Sequence, residues 1–252
     1  MNWKQDLVAC LGFFSRLPLP HAPGAADFPR PLRLAPLAGA LLGLASAIPF
    51  GLALHFNQPP AVAALLALAT ATLLSGGLHE DGLADVADGF GGGFSRQSKL
   101  EIMRDSRIGA FGASALILSF GLRAAALAAL AATPGRAVAV LAAAGALSRL
   151  CCLAPLLLLA PARADGAGRA AALTVEQAKP ALTLALAFSL LPWFAGFTLA
   201  TALAAPVLAG GVVWGFCQFA RAQIGGQTGD VAGAAQQISE IAVLMVYAGA
   251  AV

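Results

Sequence analysis

Residues 76–112 read GGLHEDGLADVADGFGGGFSRQSKLEIMRDSRIGAFG and hold six of the twelve carboxylates of a 252-residue chain that is 59% hydrophobic. Long apolar runs flank this stretch on both sides, so it reads as a polar segment at the end of membrane-crossing helices. Asp81, Asp85 and Asp88 are spaced i, i+4, i+7, which on a helix stacks their side chains along one face. Three like charges so placed call for a cation between them. Mg²⁺ or Mn²⁺, which take carboxylate oxygens and keep sites for water and phosphate, suit such a set. The glycines at 89 and 91–93 let backbone approach a ligand, and Arg104 and Arg107 add planar donors suited to phosphate.

Outward from that stretch, only 11% of residues are charged and the mean hydropathy is +0.81. These values place the chain among all-α polytopic membrane bundles. Apolar runs at about 35–56, 60–78, 109–132, 137–160, 180–203, 206–222 and 231–252 predict six to seven transmembrane helices in one domain spanning residues 1–252. The 206–222 run is short and Gly-rich, which suggests a tilted or re-entrant segment. With the N-terminus inside, Lys4, Arg16, Arg30, Arg33, Arg96, Lys99, Arg104, Arg107, Arg163, Arg169, Lys179 and Arg221 fall on one side and only Arg136 on the other. That asymmetry puts the 79–108, 161–179 and 225–230 segments on the cytoplasmic face. The net charge of +3 is scattered and gives no footprint for nucleic acid. Cys10, Cys151, Cys152 and Cys217 lack metal-ligand spacing and read as small buried hydrophobes. The N-terminal MNWKQDLVACLGFFSRLPLPHAP carries no cleavable signal pattern and reads as an amphipathic stretch along the membrane surface.

Other polar residues extend the candidate site. His79 beside the acids reads either as a general base or as a hydrogen-bond partner to them. Arg104, Asp105 and Arg107 precede a membrane run. They fit an Arg fork on a diphosphate, with Asp105 orienting it or joining a metal, and equally a cluster touching anionic lipid headgroups. Gly225, Gly226, Thr228 and Asp230 lie in GGQTGD, a turn opening the last helix that suits an anion or is a plain capped helix start. Arg123, Arg149 and Glu240 sit inside apolar runs, as functional charges or as ion pairs between helices.

The chain resembles cobalamin synthase, the adenosylcobinamide-GDP ribazoletransferase family. The resemblance rests on FFSRLPLP at 13–20, APLAGALLG at 35–43, GGLHEDGLADVADG at 76–89, EIMRDSRIGAFG at 101–112, ALSR at 146–149 and GGQTGDVAGA at 225–234. Two positions depart from it: Glu80 stands where an apolar residue is expected, and Gln237 where some members have Glu. The resemblance implies a Mg²⁺-dependent transferase of the bacterial inner membrane. It would join adenosylcobinamide-GDP to α-ribazole or its 5′-phosphate, give adenosylcobalamin or its 5′-phosphate, and release GMP. In that reading Asp81, Asp85 and Asp88 hold metal and Arg104 and Arg107 bind the diphosphate. The 225–230 turn binds the second substrate, and an Asp or His79 takes the hydroxyl proton. Membrane lipid is the expected surrounding, and a homo-oligomer is left open. A CDP-alcohol phosphotransferase is the nearest enzyme alternative, although its DGxxAR pattern is absent because Asp85 follows Ala84. A secondary transporter is the alternative from another class, motivated by Arg123, Arg149 and Glu240.

Overall fold

The computed structural model describes residues 3–19, 29–163 and 173–251; Arg169 and the rest of 164–172, within the expected 161–179 loop, lie outside them. The described chain is helical throughout: α1 Trp3–Phe14, a 3-10 turn at Pro31–Leu34, α2 Ala35–His55, α3 Pro60–Ser75, α4 Leu78–Gly92, α5 Arg96–Ile102, α6 Ala110–Ala129, α7 Pro134–Leu158, α8 Val175–Ser189, α9 Leu191–Phe194, α10 Leu199–Ile224 and α11 Gly229–Gly249. Local chemistry sets the boundaries. Prolines occupy the first turns of α2, α3 and α7, where their missing N–H costs nothing. Ser95 and Thr174 close capping boxes with Ser98 and Gln177 at the starts of α5 and α8.

Among the described residues five helices are long and apolar enough to cross a membrane, and α3 with α4 makes a sixth candidate that is bent by 91°. One expected boundary moves. The 180–203 run is not a single helix: α8 has 15 residues, about 22 Å at 1.5 Å per residue, and the chain then turns through α9 and Gly196. Thr198 caps a new helix by accepting from Thr201 N–H at 3.1 Å, and α10 runs 26 residues through Pro206. The expected short 206–222 segment is therefore the second half of a full-length helix. In a packed membrane bundle neighbouring groups can satisfy the backbone that a proline frees, so Pro206 does not end it.

α7 is the central helix, and 78% of its most apolar stretch is buried, whereas the corresponding figures for α6 and α10 are 28% and 22%. Those two outer helices present Ile117, Leu118, Val207 and Trp214 outward, an arrangement that lipid solvates and water does not. α2 crosses α7 at backbone contact, since a Cβ on either Gly39 or Gly145 would overlap the other's carbonyl oxygen. All four cysteines are free and buried, as expected of small hydrophobes. α1 is docked onto the bundle: Asp6, Ala9, Cys10 and Phe14 are buried, and Asp6 pairs with Arg30 at 3.3 Å and with Arg33.

The polar segments gather at one end of the bundle. Residues 159–163 pair with the 225–228 turn through Ala162 N–H to Gln227 O at 2.8 Å and Gln227 N–H to Ala160 O at 2.9 Å. Arg96 reaches Ala162 O at 3.0 Å and Lys99 reaches Gln223, which ties α5 to the same end. The opposite end holds the turns at 56–59, 130–133 and 190–198. Because the α2–α7 contact is backbone on backbone, Gly145→Val is expected to cost at least ~2 kcal/mol through overpacking. Gly121→Val, with nothing near its Cβ, should be neutral. Thermal denaturation of the two variants in the same detergent checks this contrast.

Candidate active site

The acid-bearing helix lies crosswise because α3 and α4 meet at two left-handed glycines, Gly76 and Gly77 (φ 68° and 72°), a conformation that a side chain resists. α4 then crosses the start of α11 so closely that a Cβ on Gly82 would press on the Asp230 backbone. Asp81 and Asp85 project into an open cavity of about 680 Å³ at the polar end, which Arg16, Ser106 and Arg107 also line. Asp85 sits among the negative charges of Asp81, Asp230 and Asp88, opposed by Arg163.

Asp88 has a different duty. Its carboxylate accepts from Gly109 N–H at 2.7 Å and Gly112 N–H at 2.8 Å, satisfying free donors at the start of α6. It lies two turns from Asp81, about 10 Å along the axis. Among the described residues no three His, Cys, Asp or Glu side chains are arranged to hold a metal. Of the expected Asp81, Asp85 and Asp88, the first two line the cavity and Asp88 is engaged by backbone amides, while the fold brings Asp230 beside them as a further carboxylate.

The two expected diphosphate arginines are also separated. Arg107 lines the acid cavity and is held by Asp105 through a two-pronged pair, Nε at 3.0 Å and Nη2 at 2.6 Å. Hydrogen bonds from Arg107 hold the Asp105 carboxyl down at about 2. Arg104 lies instead in a neighbouring groove with Arg96 and Arg163. Arg163 bridges the two regions, 3.6 Å from Asp230 and donating to Leu100 O at 3.0 Å. Sequence reading gave no site role to Arg16 or Arg163. The signal for Arg16 was its place in FFSRLPLP, directly after an amphipathic helix; Arg163 carried no local signal.

The GGQTGD turn has mainly structural duties. Gly225 ends α10 in the left-handed region (φ 78°), and a Cβ on Gly226 would collide with Ala160 O. Thr228, not Asp230, caps α11, accepting from Val231 N–H at 3.3 Å. Asp230 alone of the expected four carries a side chain toward the acids, accepting the Thr228 hydroxyl at 3.1 Å.

The sequence profile described as cobalamin-5-phosphate synthase matches residues 6–248 of this chain. The chain belongs to that family. Relatives named adenosylcobinamide-GDP ribazoletransferase include one from Azorhizobium caulinodans, 47% identical over 254 residues that cover 95% of this chain and 94% of the relative. Another, from Mesorhizobium japonicum, is 48% identical over 243 residues covering 96% and 92%. No solved structure matches the chain significantly.

Beneath the acids of this cobalamin-5-phosphate synthase family member lies a buried charge network. Arg123, 1% exposed, contacts Glu80 at 3.4 Å and Glu240 at 3.5 Å, and Arg149 contacts Glu240 at 3.3 Å. Gln237 donates to Glu80 at 3.1 Å and accepts from Ser119 at 2.9 Å, while Ser148 and Gln236 reach Glu240. Two cations and two anions balance, so the intramembrane charges are ion pairs between helices. Glu80 and Gln237, the two positions at which a departure from the resembled pattern is expected, are direct partners. Removing one member of a buried pair costs about 3–5 kcal/mol. Glu80→Gln is therefore expected to lower stability by about 3 kcal/mol, and the double change Glu80→Gln with Gln237→Glu should recover most of it by restoring the carboxylate. Denaturation midpoints of the wild type, single and double variants in one detergent check this.

Proposed function

We propose that the chain transfers the corrinoid-bearing phosphoryl group of adenosylcobinamide-GDP to a ribose hydroxyl of α-ribazole or its 5′-phosphate, releasing GMP at the cytoplasmic face of the inner membrane. The observation that carries the reading is the convergence of Asp81 and Asp85 with Arg16 and Arg107 on one open polar cavity. Full-length similarity to relatives of that name supports it, and the basic bias of the polar end supports the orientation.

Two carboxylates one helical turn apart, facing water and opposed by few cations, suit Mg²⁺ or Mn²⁺, and Asp81 and Asp85 would hold it. When bound, such an ion neutralises charge on a diphosphate and on the departing phosphate. Arg16 and Arg107 bind nonbridging oxygens, and Asp105 keeps the Arg107 fork oriented. Asp230 takes the proton from the attacking hydroxyl. As the new oxygen–phosphorus bond forms, the bond from that phosphorus to the oxygen bridging to GMP breaks, and GMP leaves with the electron pair.

Purified protein in lipid, given adenosylcobinamide-GDP and α-ribazole, is expected to release GMP in step with corrinoid product, and only with Mg²⁺ or Mn²⁺ present. Asp85→Asn should lower the rate at least ~100-fold. Arg16→Ala should raise KM for the diphosphate about tenfold or more, as expected for loss of a charged hydrogen bond. GMP release from wild type that is indifferent to divalent ions, or an Asp85→Asn rate equal to wild type, would sink the cation assignment.

A further inference from the structure

A second, smaller cavity of about 170 Å³ opens beside the first, and the two share Phe13, Leu78 and Asp81 as walls. Its chemistry differs. Phe14, Leu32, Cys152, Leu153 and Leu156 make it apolar, and polar side chains enter only at His79, Asp81 and Asp230. His79 is 2% exposed, its ring lies nearly parallel to Phe14 (interplanar angle 11°), and its Nε2 meets no hydrogen-bond partner. A buried ring nitrogen left unpaired costs on the order of 1–3 kcal/mol unless a ligand completes it.

We infer that this cavity binds the planar heteroaromatic base of the acceptor substrate, with a ring nitrogen of the base hydrogen-bonded to His79 Nε2. This rests on the proposed function and specifies its second substrate subsite. A flat aromatic body suits the apolar walls and the His79–Phe14 pair. One polar contact in an apolar pocket fixes orientation, because an analogue without the matching atom leaves His79 unpaired. The sugar attached to the base then emerges at the shared wall. Its hydroxyl meets Asp81 and Asp230 there, while the diphosphate occupies the larger cavity. His79 on this account positions substrate through its ring and takes no proton from it.

The test uses full-length protein in lipid nanodiscs with free benzimidazole and indole as probes; they share a shape, but indole lacks the second ring nitrogen. Benzimidazole should compete with α-ribazole and not with adenosylcobinamide-GDP, and indole should bind about tenfold more weakly. His79→Phe should erase that preference by weakening benzimidazole and not indole, a change that general loosening of the fold does not produce. Leu153→Phe, which fills the cavity, should raise KM for α-ribazole at least tenfold while KM for the diphosphate stays within twofold. A second readout needs no turnover: in equilibrium dialysis without the diphosphate, α-ribazole should bind wild type in nanodiscs and bind Leu153→Phe at least ~tenfold more weakly. Competition by benzimidazole against the diphosphate, equal inhibition by both probes, or an unchanged ribazole KM in Leu153→Phe would overturn the inference. If wild type releases no GMP, the proposed function falls, and α-ribazole binding alone decides the cavity: weaker binding by Leu153→Phe upholds it and equal binding, or none to wild type, ends it.

Discussion

The balanced cluster of Arg123, Arg149, Glu80 and Glu240 is the constraint on which the rest of this bundle depends. Charges inside a membrane protein are expensive unless paired, and this cluster draws its members from four helices: Glu80 from α4, Arg123 from α6, Arg149 from α7 and Glu240 from α11. Glu80 immediately precedes Asp81. The ion pairs that join α6, α7 and α11 therefore also fix the first turn of the acid-bearing helix. From that anchor α4 crosses the bundle end, held at its far end by Asp88 on the α6 amides and in the middle by the tight Gly82 approach to α11. Asp81 and Asp85 stay on the side of α4 that faces the open cavity.

This arrangement divides labour among residues that look alike in the sequence. Three aspartates share one face of one helix, yet Asp88 is spent on backbone donors while Asp81 and Asp85 remain available to a ligand. Two arginines of one short motif, Arg104 and Arg107, line different hollows. A glycine-rich turn that resembles an anion cradle also fastens the 159–163 segment beside the start of α11. The site is then assembled by tertiary contact: Asp230 and Arg163 come from segments far from α4 in sequence, and Arg16 arrives from the segment just after the N-terminal helix.

What was legible in the sequence follows from what each signal encodes. Helical class, most of the helix positions and the crowding of polar segments at one end depend on hydropathy and charge, which local composition carries directly. Asp81 and Asp85 were legible because helical spacing alone aligns them. The engagement of Asp88 with the α6 amides is not legible there, because spacing reports a helix face and not what that face meets. The break near Gly196 is hidden by apolar residues on both sides, although Thr198 carries a capping signal, and Pro206 lies inside α10 and not at its boundary. The departures at Glu80 and Gln237 looked independent since residues 157 apart give no local hint of contact. Their pairing appears only when α4 is laid against α11.

On the proposed reading the buried network holds α4 so that Asp81 and Asp85 would present a divalent-cation site, with Asp88 engaged by the α6 amides. The most direct measurement is Mn²⁺ binding to the protein in nanodiscs by electron paramagnetic resonance, without substrates, for wild type and Asp85→Asn. Saturable Mn²⁺ binding in wild type, displaced by Mg²⁺ and lost in a folded Asp85→Asn variant, is the predicted result. Equal Mn²⁺ binding by both proteins would contradict the account.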